Sequence, residues 1–195
     1  MGQSYSHLVL FGVEQQNVAA AVRKRQTVIS RTVDNFTVVA AKVSRKQQLA
    51  QTLSLGLELS KALSCAVLLV NEFDDDVLSY DLIRSGVVID KYESNPDYFD
   101  FYARRVPPRG PLGGHAARLC ATLNRPDATQ RVSSILRNAD PSLSAPERHS
   151  QLLAALGMPA FCAGFDYDAL ERNELPDGLA LADLVFSNAP PGQRL

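Results

Sequence analysis

The carboxylates crowd into one stretch. Cys65–Ser94 reads CAVLLVNEFDDDVLSYDLIRSGVVIDKYES, with Glu72, Asp74, Asp75 and Asp76 almost contiguous and Asp81, Asp90 and Glu93 following. Clustered carboxylates are hard oxygen donors of the kind that hold magnesium or calcium. The calcium-loop pattern, however, also needs a glycine and a later glutamate at fixed offsets, and this stretch has neither at those positions. The expectation is therefore no metal and no cofactor. Asp74–Asp76 reads as a hairpin turn, and the remaining acids as polar positions on two strands. As a functional surface, Glu72, Asp74, Asp75, Asp76, Asp81, Asp90 and Glu93 would form an acidic face for a basic protein partner, since charge patterns steer association and select partners.

A second group follows. Tyr98, Phe99, Phe101 and Tyr102 are interleaved with Arg104 and Arg105, and Pro107, Pro108 and Pro111 lead to Gly113-Gly114 and His115. Rings with guanidinium groups can hold nucleobases, but the acidic run just upstream repels phosphate, and no overall basic footprint exists. Nucleic acid is not expected. The alternative is a small-molecule pocket whose rim is Tyr98, Tyr102, Arg104, Arg105 and His115, between sheet and helices where pockets favour junctions. Gly110–Gly114 precedes a helix, but neither the Walker lysine nor GxGxxG is present, so a phosphate loop is not indicated. Nucleophilic catalysis needs a base within reach of a thiol or hydroxyl. The histidines are His7, His115 and His149, and the cysteines Cys65, Cys120 and Cys162. No spacing pairs them, and His149, on an apolar helix stripe, reads as a core residue. Whether the chain is an enzyme stays open.

The elements that must position these groups read as follows. His7–Phe11 is a short apolar strand closed by Gly12, and Glu14–Arg25 a narrow amphipathic helix ending in a basic triplet. Thr27–Lys42 is β-branched on both sides of Asp34-Asn35 and reads as a hairpin. A helix from Ser44 to about Leu63 presents Leu49, Leu53, Gly56 or Leu57, Ser60 and Leu63, widened by Leu55, Leu59 and Ala62. Ala66–Val70, Val77–Arg84 and Val87–Tyr92 form a meander. The expected fold is α+β: a ferredoxin-like β-α-β-β-α-β core, its sheet extended by the antiparallel meander, then a mainly helical C-terminal part. Residues 1–95 would be the sheet domain, 96–114 a crossover loop, and 115–195 helices packed on the same body. Those helices are His115–Leu123, Ala128–Asn138 and Pro146–Leu156, the last stopped by Gly157. Leu179–Phe186 is apolar enough to return as an edge strand.

Net charge is −1 over 195 residues, but it is blocked. Met1–Ser60 carries seven basic and three acidic residues; Glu72–Asp100 nine acidic and two basic; Phe101–Ser150 eight arginines and three acids. Such blocks pair within a fold or mark partner surfaces. No apolar run approaches a membrane span, and the first residues lack a basic n-region. Three widely spaced cysteines, each among apolar residues, fit reduced thiols in a cytoplasmic compartment.

HLVLFG, NEFDDDVLSYDL with VVIDKYESNPDYF, and ERHSQLLAALGMPAFCAGFDY together resemble a group of small bacterial proteins that are hypothetical. The resemblance implies a bacterial cytosolic protein and carries over no activity or site residue. The leading functional expectation is a non-catalytic interaction or regulatory protein using the acidic sheet surface, an immunity-type protein against a basic toxin being one form. The alternative is a small-molecule-binding enzyme or sensor. Oligomeric state is not encoded in any feature of the sequence.

Overall fold

Tyr5–Phe11 (β1) is buried at every residue but the half-buried Phe11 because it runs through the middle of a sheet with both faces covered. The computed structural model describes residues 2, 4–44, 48–99, 109–140 and 142–188. Chain order then gives α1 (Gln15–Val22), β2 (Thr27–Ile29), β3 (Phe36–Ala41), α2 (Gln48–Ala62), β4 (Ala66–Phe73), β5 (Val77–Arg84), β6 (Val87–Glu93) and β7 (Leu112–Gly113). After these come α3 (Ala116–Thr122), α4 (Thr129–Arg137), α5 (Ala145–Leu156), α6 (Tyr167–Glu171) and β8 (Val185–Ser187). The strands form one eight-stranded open sheet, β7-β6-β5-β4-β1-β3-β2-β8, with every neighbour antiparallel. The fold is α+β.

Alternation along the strands splits the core into two layers. On the outer face, Leu8, Leu10, Ile29, Val39, Val67, Leu69 and Ile83 pack with Val18 and Val22 of α1 and Leu55 and Leu59 of α2. On the inner face, Val9, Val28, Val38, Leu68, Val70, Tyr80, Leu82 and Tyr92 pack with Leu119, Leu136, Leu152, Leu153, Leu156 and Phe165 from the C-terminal half. The described residues from 112 to 188 therefore supply the second cover of the same sheet and also add its two short edge strands.

Local chemistry fixes the turns. Asp34 and Asn35 have φ of 50° and 68°, and Val33 and Phe36 exchange both backbone hydrogen bonds, at 3.0 and 2.8 Å. This is a two-residue type I′ turn made without glycine, because Asp and Asn tolerate the left-handed region. Ser85-Gly86, with φ of 54° and 76°, makes the equivalent turn between β5 and β6. Helix α5 has a capping box between Ser144 and Glu147 and stops at Gly157, whose φ is +64°.

Several expectations shift. Helix α1 ends at Val22, and Arg23–Arg25 lie in the turn after it. The buried stripe of α2 is Thr52, Leu55, Gly56, Leu59 and Ser60, while Leu49 is exposed. The stripe rotates because Gly56 touches the sheet: a Cβ there would lie 2.8 Å from Ile83 Cδ1 and 3.0 Å from Leu8 Cδ2. The proposed start of this helix after Ser44 falls at 45–47, outside the described residues. Edge strand β8 is confined to Val185–Ser187, paired with β2.

The meander carries one irregularity with large consequences. Leu82 faces Asp90, but Ile83 faces Val88, so Ile89 is an extra residue. This bulge inverts the alternation of β6. Val88 packs on the outer face, and two residues later Asp90 and then Tyr92 point to the inner one.

Candidate functional site

Among the described residues, the inner face buries charged-type side chains and the outer face does not. The buried ionisable side chains His7, Glu72, Asp90, Arg148 and His149 all lie between the sheet and the C-terminal helices. Buried polar residues on α2 are the neutral Thr52 and Ser60. The inner-face groups gather into two knots.

The first knot joins β1, β4 and α5. Tyr5 sits opposite Glu72 in the β1–β4 register, and its hydroxyl donates to Glu72 Oε2 at 2.7 Å. The same hydroxyl lies 2.7 Å from His149 Nδ1. With the phenol proton on Glu72, the phenol oxygen accepts from His149 Nδ1–H, which leaves Nε2 unprotonated. His7 lies two residues along β1, its ring 6.1 Å from that of His149 and 5.6 Å from that of Tyr5. Nε2 of His149 and Oε1 of Glu72 are buried without a hydrogen-bond partner, and the polar group facing the buried His7 ring is the Phe165 backbone. Burial dominates the electrostatics. It pushes the Glu72 carboxyl up to about 7, the Tyr5 hydrogen bond opposing and the Asp75 charge adding. It holds His7 at about 3, helped by His149, and His149 at about 4. Burial also raises the Tyr5 phenol and the Cys162 thiol beyond their ordinary ranges. The knot can hold or relay a proton. It contains no activated nucleophile, because a buried neutral thiol is inert.

The second knot joins β5, β6 and the start of α3. Asp90 accepts from the Tyr80 hydroxyl at 3.0 Å, from the His115 backbone N–H at 2.8 Å, and faces His115 Nδ1 at 2.8 Å. Gly113 and Gly114 make this possible. Both have φ of +72°, and a Cβ on Gly113 would collide with the Lys91 carbonyl oxygen. Arg137 donates to the Gly114 carbonyl at 2.7 Å, and Arg148 donates to that of Ile135 at 2.7 Å. Tyr80 and Tyr92 stack at 5.4 Å between these groups. The His115 side chain remains 65% exposed.

The seven acidic residues do not share one surface. Glu72 and Asp90 are 2% and 5% exposed and face inward, correcting the expectation of a common solvated face. Asp90 is turned in by the bulge, and Glu72 lies on the same face as Leu68 and Val70. Asp81 pairs with Lys91 at 3.3 Å, and Glu93 is half-buried on that same outer face. Asp74 accepts from the Gly2 N–H at 2.7 Å, the Asp75 carbonyl accepts from Ala145 N–H at 2.9 Å, and Asp76 is exposed.

The expected pocket rim also separates. Tyr98 folds against Phe73 and Phe99 at the β4–β5 turn, with its hydroxyl 3.4 Å from Asp74. His115 sits on Asp90, opposite Leu82. Five residues of strand, about 17 Å, lie between these positions. Tyr102, Arg104 and Arg105 lie outside the described residues. Tyr80, Tyr92, Leu119, Leu136, Leu152 and Leu153 fill the layer between sheet and helices. A shallow open groove elsewhere is lined by Arg25, Lys42, Gln51 and Ser54.

No protein-family model matches the chain, and comparisons with curated proteins and with solved structures give no match either. Among the described residues no three His, Cys, Asp or Glu side chains converge as a metal site, and no helix is long and apolar enough to cross a membrane.

Sequence reasoning missed Tyr5, His7, Tyr80, Tyr92 and Arg148. The available signal was a titratable residue inside an apolar pattern: His7 within YSHLVLF, and Arg148-His149 on the α5 stripe.

Proposed function

We propose that the chain is a non-catalytic interaction or regulatory protein that docks a basic partner protein at the β4–β5 corner. The observation that carries this is the aromatic cluster Phe73, Tyr98 and Phe99, ring centroids 5.1–5.7 Å apart, with Phe73 44% and Phe99 53% exposed. Asp74, Asp75 and Asp76 are in the adjoining turn, and Asp81 and Glu93 lie on the same sheet face as Phe73. Exposed rings ringed by carboxylates suit a basic surface with an apolar anchor: the rings supply affinity and the acids steer the encounter. The order β4-β1-β3-β2, with α1 and α2 both on the outer face, supports reading this half as a ferredoxin-like core. The unpaired, buried Cys65, Cys120 and Cys162 support a reducing, cytoplasmic setting in a bacterial cell.

The test is capture from a lysate of the source cells, identification of a stoichiometric partner, and titration of that purified partner. Two variants are compared with wild type: Phe73→Ser with Phe99→Ser, and Asp74→Asn with Asp75→Asn and Asp76→Asn. Asparagine keeps the left-handed φ of Asp74 and Asp75 accessible. The expected result is a basic protein released by high salt, bound at least ~100-fold more weakly by the aromatic variant. The asparagine variant should flatten the salt dependence. Equal binding by all three proteins, or a retained metabolite with no protein partner, overturns the reading.

A further inference from the structure

We propose that the C-terminal helical layer is a proton-released cover: acidification charges His149 and His7 beneath it, and α5 with the Ala160–Phe165 turn comes off the inner face of the sheet while α1 and α2 stay on the outer face. Three observations carry this.

The first is the chemical asymmetry of the two layers. His7, Glu72, Asp90, Arg148 and His149 are buried on the inner side, whereas α1 and α2 seal the outer side with Val18, Val22, Leu55 and Leu59 and the neutral Thr52 and Ser60. Protons can therefore act on one cover and not on the other.

The second is what faces a charged His149. From β1 come Tyr5, at 2.7 Å, and His7, ring to ring at 6.1 Å. From β4 comes Glu72, reached through Tyr5, with the Asp75 charge from the turn acting on it. From the Ala160–Cys162 turn comes the neutral Cys162 thiol near Tyr5. On α5 itself Arg148 is next in sequence and acts on Tyr92. Asp90 is engaged with Tyr80 and His115. The nearest anion is thus a carboxylate whose ionisation burial already opposes, while a second imidazole stands against the His149 ring. Two buried cations with one reluctant counterion are unfavourable in a low-dielectric site.

The third is the attachment. Among the described residues the polar ties from α5 to the sheet side include the Tyr5–His149 contact, Arg148 to the Tyr92 hydroxyl, and Ala145 N–H to the Asp75 carbonyl at 2.9 Å. A proton added at His149 Nε2 leaves the first tie in place but finds no acceptor there, so the buried charge itself, with His7 beside it, is what drives the cover off.

Burial holds His7 near 3 and His149 near 4 in the closed state, against 6.5 when free, so closure weakens as pH falls below about 6.5 and continues to weaken down to 4 and below. Glu72 works the other way between about 7 and 4.5, since its proton is held more tightly when closed. Below about 4.5 the histidines act unopposed, so release begins below about 6.5 and steepens near 4.5.

The experiment is hydrogen–deuterium exchange with mass spectrometry on the full chain at pH 7.0, 5.5 and 4.5, corrected for the intrinsic pH dependence of exchange. The expected result is a loss of protection of at least tenfold in peptides covering 145–165 by pH 4.5, reversed on return to neutral. Peptides covering 15–22 and 48–62 should keep theirs. In the double variant His7→Asn with His149→Gln the selective loss should disappear. Simultaneous loss on both faces, unchanged protection of 145–165, or the same selective loss in the double variant overturns the proposal. If the double variant does not fold, the contrast between the two sets of wild-type peptides decides alone.

Discussion

Tyr5 and His149 are 144 positions apart in the chain, yet the phenol oxygen of one lies 2.7 Å from Nδ1 of the other. The same oxygen donates to Glu72, so one hydroxyl ties the first strand, the central meander and the last long helix together. Replacing Tyr5 by Phe keeps the ring and strands the Glu72 Oε2 and His149 Nδ1 atoms. A buried polar group without a partner costs about 1–3 kcal/mol. Tyr5→Phe is expected to lose about 2–3 kcal/mol in urea unfolding with an unchanged m-value. The Glu72 carboxyl, deprived of the hydrogen bond that holds it down, should titrate above its present value of about 7, as read by carbon-13 NMR of the side-chain carboxyl.

Glu72 also makes a distinct prediction about pH. Its folded-state pKa is raised from 4.5 to about 7, so its contribution is most favourable below 4.5 and is lost as pH rises through 7. Glu72→Gln removes that dependence. The variant should gain on the order of 2 kcal/mol over wild type at pH 8, and less toward pH 5. Its stability should fall more steeply than wild type between pH 6.5 and 4.5, because the histidines then act without opposition. Urea midpoints at pH 8.0, 6.5 and 5.0 measure this. A constant difference between the two proteins at all three values would mean that Glu72 does not titrate over this range.

Much of the frame was legible because it rests on local rules. The apolar run at β1, the meander, the helix stops and the weak edge signal near Phe186 follow from periodicity and turn residues, and each appears within a few positions of its expected place. Asp90 was not legible in this way. Alternation from Val88 puts it on the outer face, and only the extra Ile89 turns it inward. A bulge costs one residue of register and has no fixed sequence signature. Glu72 differs again: alternation with Leu68 and Val70 does place it on the apolar face, but its sequence neighbours Asp74–Asp76 suggest solvent. The burial of His149 was legible from its apolar stripe, but its pairing with Tyr5 was not, since nothing in local spacing brings residue 149 to residue 5.

Gly56 tests the packing of α2 on the sheet. Alanine has about 1 kcal/mol higher helix propensity than glycine, so Gly56→Ala would stabilise an isolated helix. Here the added methyl would lie 2.8 Å from Ile83 Cδ1 and 3.0 Å from Leu8 Cδ2, both in fully buried side chains. Overpacking of this kind costs about 1–3 kcal/mol and should outweigh the propensity gain. A net loss of about 1 kcal/mol is expected, and Ile83→Val in the same chain should recover most of it by removing the opposing Cδ1. A Gly56→Ala variant more stable than wild type would show that the helix and sheet can separate there without cost.

Asp90 and Tyr80 test the second knot. Asp90 is buried and satisfies three donors: the Tyr80 hydroxyl, the His115 backbone N–H and, in its Nδ1-protonated form, the His115 ring. Asp90→Ala leaves the first two without an acceptor and should cost about 3 kcal/mol. Asp90→Asn retains a carbonyl oxygen for Tyr80 and the backbone, and its amide can donate to His115 Nδ1 once the ring shifts its proton to Nε2, so the loss should be about 1 kcal/mol. His115→Ala should cost no more than that, because the imidazole is largely exposed and the backbone N–H remains. A double-mutant cycle of Asp90→Ala with Tyr80→Phe isolates the pair, and a coupling of about 1–2 kcal/mol is expected for a buried hydroxyl–carboxylate bond. If Asp90→Ala and His115→Ala cost the same, Asp90 is serving the exposed ring rather than the buried tyrosine, and the knot is not what closes this end of the inner layer.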